Sequence, residues 1–268
     1  MTIKLHPRIL LTGAAGGLGQ ALRDRLKANC NTLRMSDRVA FGPAREHEEI
    51  VIADLSDCAA VLAMMEGVDA VVHLGGISTE AAFAPILQAN IVGMYNLYEA
   101  ARKQGCKRVV FASSNHVTGF YKQSETITAD HPPRPDGLYG LSKAFGEDIA
   151  RLYFDRYAIE TACVRIGSSF PEPKDRRMLA SWLSYDDLHR LITACLTTPV
   201  LGHTIVFGAS NNAVSWWDNS RARHLGYVPQ DSSDGFRDAV YARTPEPDLQ
   251  DPAACYQGGV FVRTGPFE

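Results

Sequence analysis

Two groups of residues in this chain have the types and spacing for chemistry. "YGLSK" at 139–143 sets a tyrosine and a lysine four positions apart, which share one face if the segment is helical. A free tyrosine has a pKa near ~10 and is a poor base at neutral pH unless a nearby cation favours its phenolate. Lys143, one helical turn from Tyr139, is such a cation. The second group is "LLTGAAGGLG", with glycines at 13, 16 and 19 after an apolar run. Gly13 suits a tight turn, Gly16 the close approach of backbone to a pyrophosphate, and Gly19 close packing of the helix that follows.

Further polar residues extend the second group. Asp37 ends "TLRMSD", where a dinucleotide-binding unit places the carboxylate that holds the adenosine ribose hydroxyls. A carboxylate there repels a 2′-phosphate and favours NAD over NADP, although the adjacent Arg38 softens that repulsion. In "ADLSD", Asp54 and Leu55 flank the adenine, with a helix N-cap as the alternative role for Asp54. "HLGG" supplies Gly75 and Gly76, which let the chain pass close to the cofactor, while His73 reads as a packed core histidine.

The elements that must hold these groups follow from the hydrophobic pattern. Over 1–165, β-branched runs ("RILLTG", "TLRMSD", "DAVVHLGG", "KRVVFASS", "ETACVRIG") alternate with helical stretches ("GLGQALRDRLKAN", "AAVLAMMEGV", "ILQANIVGMYNLYEAARKQG", "LYGLSKAFGEDIARLYFDRY"). That alternation predicts α/β architecture: a Rossmann-type doubly wound parallel sheet covered on both faces. Residues 166–268 are less regular: "PEPKDRRM" reads as a loop, "YDDLHRLITACLTTP" and "DGFRDAVYAR" as helices, "HTIVFGAS" as a strand. The expectation is one domain over 1–268, with 1–165 mainly the NAD-binding core. The remainder, 166–268, would be mainly a small C-terminal substrate-binding cap with completing elements, packed on the carboxyl ends of the strands, where ligands bind in open α/β sheets.

A net charge of −3 over 268 residues suggests neither nucleic acid nor an anionic membrane as partner and leaves a small-molecule substrate. The apolar run near the amino end is far shorter than the ~20 residues of a spanning helix, and no cleavage site follows it, so a cytoplasmic protein is expected. Cysteines at 30, 58, 106, 163, 195 and 255 lie far apart, without CxxC pairs or histidines at ligand spacing. Free, mostly buried thiols are expected, with no metal site.

Taken in order, "TGAAGGLG" at 12–19, "FASSNHVTG" and Tyr139-x-x-x-Lys143 resemble the extended type of the short-chain dehydrogenase/reductase superfamily. The resemblance implies Tyr139 as proton acceptor, Lys143 as ribose ligand and electrostatic aid, and Ser114 as hydrogen-bond donor to the reacting oxygen. Ser114 stands five residues before Gly119, the spacing of the family's active serine, and Ser113 would face the other side of the strand. The implied cofactor surface also takes in Gly17, Leu18, Leu74, Asn90 and Ile166. Asn115 and His116 stand where sugar-nucleotide dehydratases of the superfamily carry an acid pair, which argues against water elimination. Only 125 residues follow Lys143, a small allowance for gripping a nucleotide-sugar.

A closer resemblance is to the uronate dehydrogenases, carried by "VVHLGGIS", "NIVGMYNLYEAAR", "FASSNHVTGFY", "RPDGLYGLSK", "VRIGSSFPEP", "RRMLASWLS", "FGAS" and "WWDNS". It implies NAD-dependent oxidation of D-galacturonate and D-glucuronate at C1 to an aldarolactone, a step of uronic acid catabolism. Substrate contacts would fall on Ser78, Ser114, Asn115, His116, Tyr139, Ser168 and Arg177, with His116 binding sugar hydroxyls rather than acting as base. The C6 carboxylate of a uronic acid calls for a planar guanidinium able to bond both oxygens. Arg176 is adjacent to Arg177 and stays an alternative. Departures from the family pattern are the short amino-terminal tail and "LGYVP" where tryptophan beside the glycine would be expected. The rival readings are a sugar epimerase or reductase of the same superfamily and a non-catalytic dinucleotide sensor. A homo-oligomer is expected, although the apolar stripe of "NIVGMYNLYEAARKQG" is equally explained by packing on the sheet.

Overall fold

Alternating aliphatic residues place successive side chains on opposite faces of a strand, and both faces here find helices to cover them. The computed structural model describes residues 6–265; the tail before them, up to residue 5, lies outside the described residues. The strands are β1 (His6–Thr12), β2 (Cys30–Asp37), β3 (Glu48–Ile52), β4 (Ala70–His73), β5 (Arg108–Ser114), β6 (Ile127–Thr128), β7 (Glu160–Ile166), β8 (His203–Gly208) and β9 (Trp217–Asp218). Seven of them form one parallel sheet in the order β3-β2-β1-β4-β5-β7-β8, and β6 pairs separately with β9. The order reverses between β1 and β4, the point where such sheets open a ligand crevice.

Ile9 and Leu11 of β1 pack with Val72, Val110 and Val164 on one face, beneath Leu22 of α1 (Gly17–Arg23). Leu10 turns to the other face with Val71, Val109 and Phe111. That second face is covered by Val61 and Met64 of α2 (Cys58–Met64), and by the helical run that opens with α3 (Phe83–Ile86) and continues through a π-helical turn (Leu87–Val92) into α4 (Gly93–Gln104). Ile149 and Tyr153 of α5 (Leu138–Tyr157) complete the cover. Each fully buried side chain of this size contributes about 1.5–3 kcal/mol. The stripe of α4 (Met94, Leu97, Tyr98, Ala101) is buried against the sheet.

Two expectations change. The first helix stops at Arg23 instead of running to Asn29, and a 3-10 turn at Leu26–Ala28 follows; its tighter winding still buries Leu26. The segments "HTIVFGAS" and "YDDLHRLITACLTTP" do not belong to a cap. β8 pairs in parallel with β7, and α7 (Tyr185–Thr197) buries Leu188, Leu191, Ile192 and Cys195 in the core of the first face. The cover over the strand ends comes instead from α6 (Met178–Ser181), the loop before it and the carboxyl-terminal segment. Among the described residues no helix is long and apolar enough to cross a membrane.

Candidate active site

The glycine string makes the turn that its spacing requires. Gly13 has φ +69°, and a Cβ there would lie 2.7 Å from the carbonyl carbon of Leu74. A Cβ on Gly19 would lie 2.3 Å from the Gly13 oxygen, so α1 can sit this close to β1 only with glycine at that position. On Gly17 a Cβ would meet nothing within 4 Å, which leaves that backbone open to the cleft. Asp37 closes the far side: its carboxylate accepts from the Ala15 amide at 3.0 Å and the Val39 amide at 3.3 Å. Asp54 accepts from the Ser56 amide (2.8 Å) and hydroxyl (2.7 Å), bonds that hold its pKa below the usual aspartate value. It does not cap α2, whose N-cap is Asp57. A bare glycine turn beside a carboxylate that can take ribose hydroxyls fits a dinucleotide.

One cleft of about 1350 Å³ runs over the carboxyl ends of the strands. It is lined by every residue expected at the site except Asn90. Asn90 stands behind the wall: its amide oxygen accepts from the Ile77 amide (2.8 Å), and its nitrogen donates to the Ile77 carbonyl (3.0 Å) and the Ser142 hydroxyl (2.8 Å). Its amide clamps the loop that carries Gly76 and Ser78. His73 is buried, bonds Thr12 Oγ1 at 2.7 Å and is pushed down to about 3 by burial, then by the charge of Lys143. It is the packed core histidine expected.

β5 delivers two serines to opposite sides. The Ser113 hydroxyl donates to Glu147 at 2.6 Å, behind the sheet, where Glu147 also pairs with the fully buried Arg165. Ser114 faces the cleft, accepts from the His116 amide at 3.2 Å and stands near enough to Tyr139 to lower its pKa. α5 brings Tyr139 and Lys143 to the same place, and both are buried. Lys143 Nζ donates to the Ala112 carbonyl at 2.8 Å and stands 5.7 Å from the centre of the Tyr139 ring.

Lys143 by itself does not draw Tyr139 down. Burial pushes Tyr139 up to about 12, against Ser114, which lowers it, and with the Asp136 charge that raises it further. Burial pulls Lys143 down to about 8. The protein's own groups thus leave the phenol protonated, and a further positive charge is needed to make it a base.

At the other end of the cleft the half-buried Arg177 donates to the Gln257 carbonyl (2.6 Å) and to Ser168 Oγ (3.4 Å). In the amide orientation that its neighbours require, Asn115 accepts from Arg177 Nη2 at 2.9 Å and donates to the Ile166 carbonyl at 3.1 Å. Desolvation holds Arg177 below the ordinary arginine pKa, and among the described residues it has no ion-pair partner. Arg176 also lines the cleft but is engaged by Glu246 at 2.7 Å and Thr244 at 3.2 Å, over the ring of Tyr241.

Four residues of the site escape the sequence reading. Glu80 accepts from the Leu138 and Tyr139 amides (2.8 and 2.9 Å) and so caps α5, whose own N-cap residue Gly137 has no side chain to do it. Asp136 bonds His116, Phe261 stacks on it, and the fully buried Gln257 pins the carboxyl-terminal segment to Trp217 and to the Lys122 and Glu125 carbonyls. The one sequence signal is the glycine beside each of Asp136 and Gln257 in "PDG" and "QGG".

A dinucleotide cleft at the sheet reversal, with a strand-end serine, a tyrosine and a lysine converging beside it, defines the extended short-chain class of nicotinamide-dependent proteins. Residues 9–199 match the NAD dependent epimerase/dehydratase family. The uronate dehydrogenase of Pseudomonas putida is 59% identical over 268 residues, with all of both chains covered. The crystal structure of the uronate dehydrogenase of Agrobacterium tumefaciens superposes with a TM-score of 0.95 at 52% identity, covering 99% of this chain and 98% of that one. A tyrosine-to-alanine mutant of that enzyme, complexed with NAD, gives the same TM-score and identity, over 97% of this chain and 98% of that one. The chain belongs to the NAD dependent epimerase/dehydratase family and, within it, to the uronate dehydrogenases.

Proposed function

We propose that the protein oxidises D-galacturonate and D-glucuronate at C1 to the aldarolactone, with NAD as acceptor. The observation that carries this reading is Arg177, a desolvated guanidinium with three of its five N–H groups engaged by neutral oxygens and, among the described residues, no carboxylate at ion-pair distance; Asp175 and Asp136 act on it only from further away. A carboxylate on the substrate supplies that balance and fixes the sugar at its C6 end. The C1 end then meets Ser114 and Tyr139. Arg176 also lines the cleft, but its pairing with Glu246 favours Arg177 as the clamp.

Tyr139 takes the proton of the C1 hydroxyl while Ser114 holds the same oxygen. NAD, when bound, supplies the acceptor for the C1 hydrogen with its electron pair, and a positive charge as long as it is oxidised. With that charge present, Lys143 and the cofactor together would stabilise the Tyr139 phenolate, which Lys143 alone does not do. Lys143, anchored on the Ala112 carbonyl, would also hold the cofactor ribose. The C1–O bond of the cyclic hemiacetal becomes the lactone carbonyl, and the ring stays closed.

Purified protein with NAD⁺ and D-galacturonate is expected to generate NADH absorbance rapidly, and D-galactose, which lacks the carboxylate, to give almost none. Equal rates with both sugars would remove the role of Arg177, and no NADH with either would remove the oxidation itself.

A further inference from the structure

A buried carboxylate that proton removal at C1 does not call for sits behind the substrate wall. The side chain of Asp136 is 0% exposed; its Oδ2 lies 2.6 Å from His116 Nδ1, and its Oδ1 has no partner among the described residues. Three glycines from separate parts of the chain make room for it. A Cβ on Gly119 or on Gly258 would stand 1.9 Å from Oδ2, and one on Gly140 would stand 3.1 Å from Oδ1. The backbone is shaped around this group. Its charge also raises the pKa of Tyr139, so it works against the base beside it.

What the charge does is legible at His116. An ionised carboxylate can only accept, so the neutral imidazole facing it carries its proton on Nδ1 and leaves Nε2 as an acceptor. Burial keeps His116 below its ordinary pKa despite Asp136, which holds the ring neutral. Phe261 stacks on the ring with centres 3.8 Å apart, and Tyr139 meets it edge-on at 5.7 Å, so the ring has one orientation. Nε2 has no protein partner among the described residues, and His116 lines the cleft.

We propose that Asp136 is a positioning residue: it fixes the Nδ1-protonated form of His116, so that Nε2 accepts a hydrogen bond from a sugar hydroxyl beside the Ser114–Tyr139 pair. The inference rests on the uronate reading of the site and adds a selection rule to it. The group that meets His116 must be a donor, so a hydroxyl binds and its methyl ether or deoxy analogue leaves Nε2 unpaired.

The test is a ¹⁵N spectrum of the histidine side chains of the NAD-bound protein, with the His116 signals identified by their loss in His116→Gln. Nδ1 is expected to resonate as protonated and Nε2 as bare; a proton on Nε2 overturns the proposal. Asp136→Asn is expected to keep NAD affinity while the uronate KM rises roughly 10- to 100-fold. A variant that binds NAD normally and keeps the original KM also overturns it. Should that variant lose NAD binding through misfolding, the nitrogen signals of the unaltered protein decide alone. They require no sugar, so a failure of uronate turnover would sink the proposed reaction and leave this result standing.

Discussion

The two ends of the cleft are built by different means. The cofactor end is backbone: Gly13, Gly17 and Gly19 shape it by lacking side chains, and all lie within one turn of chain. The substrate end is side chain, held by contacts between distant segments: Arg177 to Gln257, 80 residues apart, His116 to Asp136, and Phe261 over His116. A surface made of glycines fails by gaining atoms, and one made of buried polar groups fails by losing them. Substitutions should therefore separate cofactor affinity from sugar affinity.

Tyr139→Phe should lower kcat by about 10²–10⁴-fold, with NAD⁺ affinity by titration calorimetry nearly unchanged. Full turnover would break the assignment of the base. Arg177→Lys keeps the charge but loses the planar fork, and the KM for galacturonate is expected to rise on the order of 10²-fold with NAD⁺ binding intact. A parallel loss of NAD⁺ affinity would erase the distinction between the two ends. Gly19→Ala should show the opposite split. Its methyl group meets the Gly13 oxygen, so thermal or urea unfolding should report a loss of about 1–3 kcal/mol together with weaker NAD⁺ binding.

A pH experiment sharpens the comparison, because it asks whether one end reaches the other. Tyr139 in the free protein is pushed up to about 12, and the base form is the deprotonated one, so turnover rises with pH. If bound NAD⁺ supplies the missing charge, the rising limb of kcat should lie about two to three units below the tyrosine titration of the free protein. Coincidence of the two would mean that the cofactor charge does not reach the phenol. Asp37→Ala is the mildest change: a few-fold rise in the KM for NAD⁺, since the carboxylate would lose hydroxyl partners at a solvent-open rim.

That contrast also explains what the sequence makes visible. The glycine string, Asp37 and the Tyr139–Lys143 pair are local patterns, and α5 forms over the residues its periodicity marks. The adjoining error is local too: the first helix stops early; and the alternative role weighed for Asp54, capping α2, falls to Asp57. Asp136, Glu80, Gln257 and Phe261 acquire meaning only through tertiary contact, as when Glu80 reaches amides 58 and 59 positions away to cap α5. Asn90 stands at the expected place, yet its amide is engaged by Ile77 and Ser142, which no spacing reveals. The pKa of Tyr139 depends on burial, which depends on the whole fold.

The neighbouring serines at the end of β5 carry one more consequence. A strand slipped by a single residue toward the site would send Ser113 to the sugar and bring Ala112 round to Glu147, reversing every side chain along the edge of the site. Such a slip would also strand the Glu147–Arg165 pair in a dry interior without the hydroxyl that shares its charge. The pair behind the sheet thus works as a vernier for the front: misalignment by one notch is penalised out of sight of the substrate, and the hydroxyl presented to the reaction is the one the alignment allows.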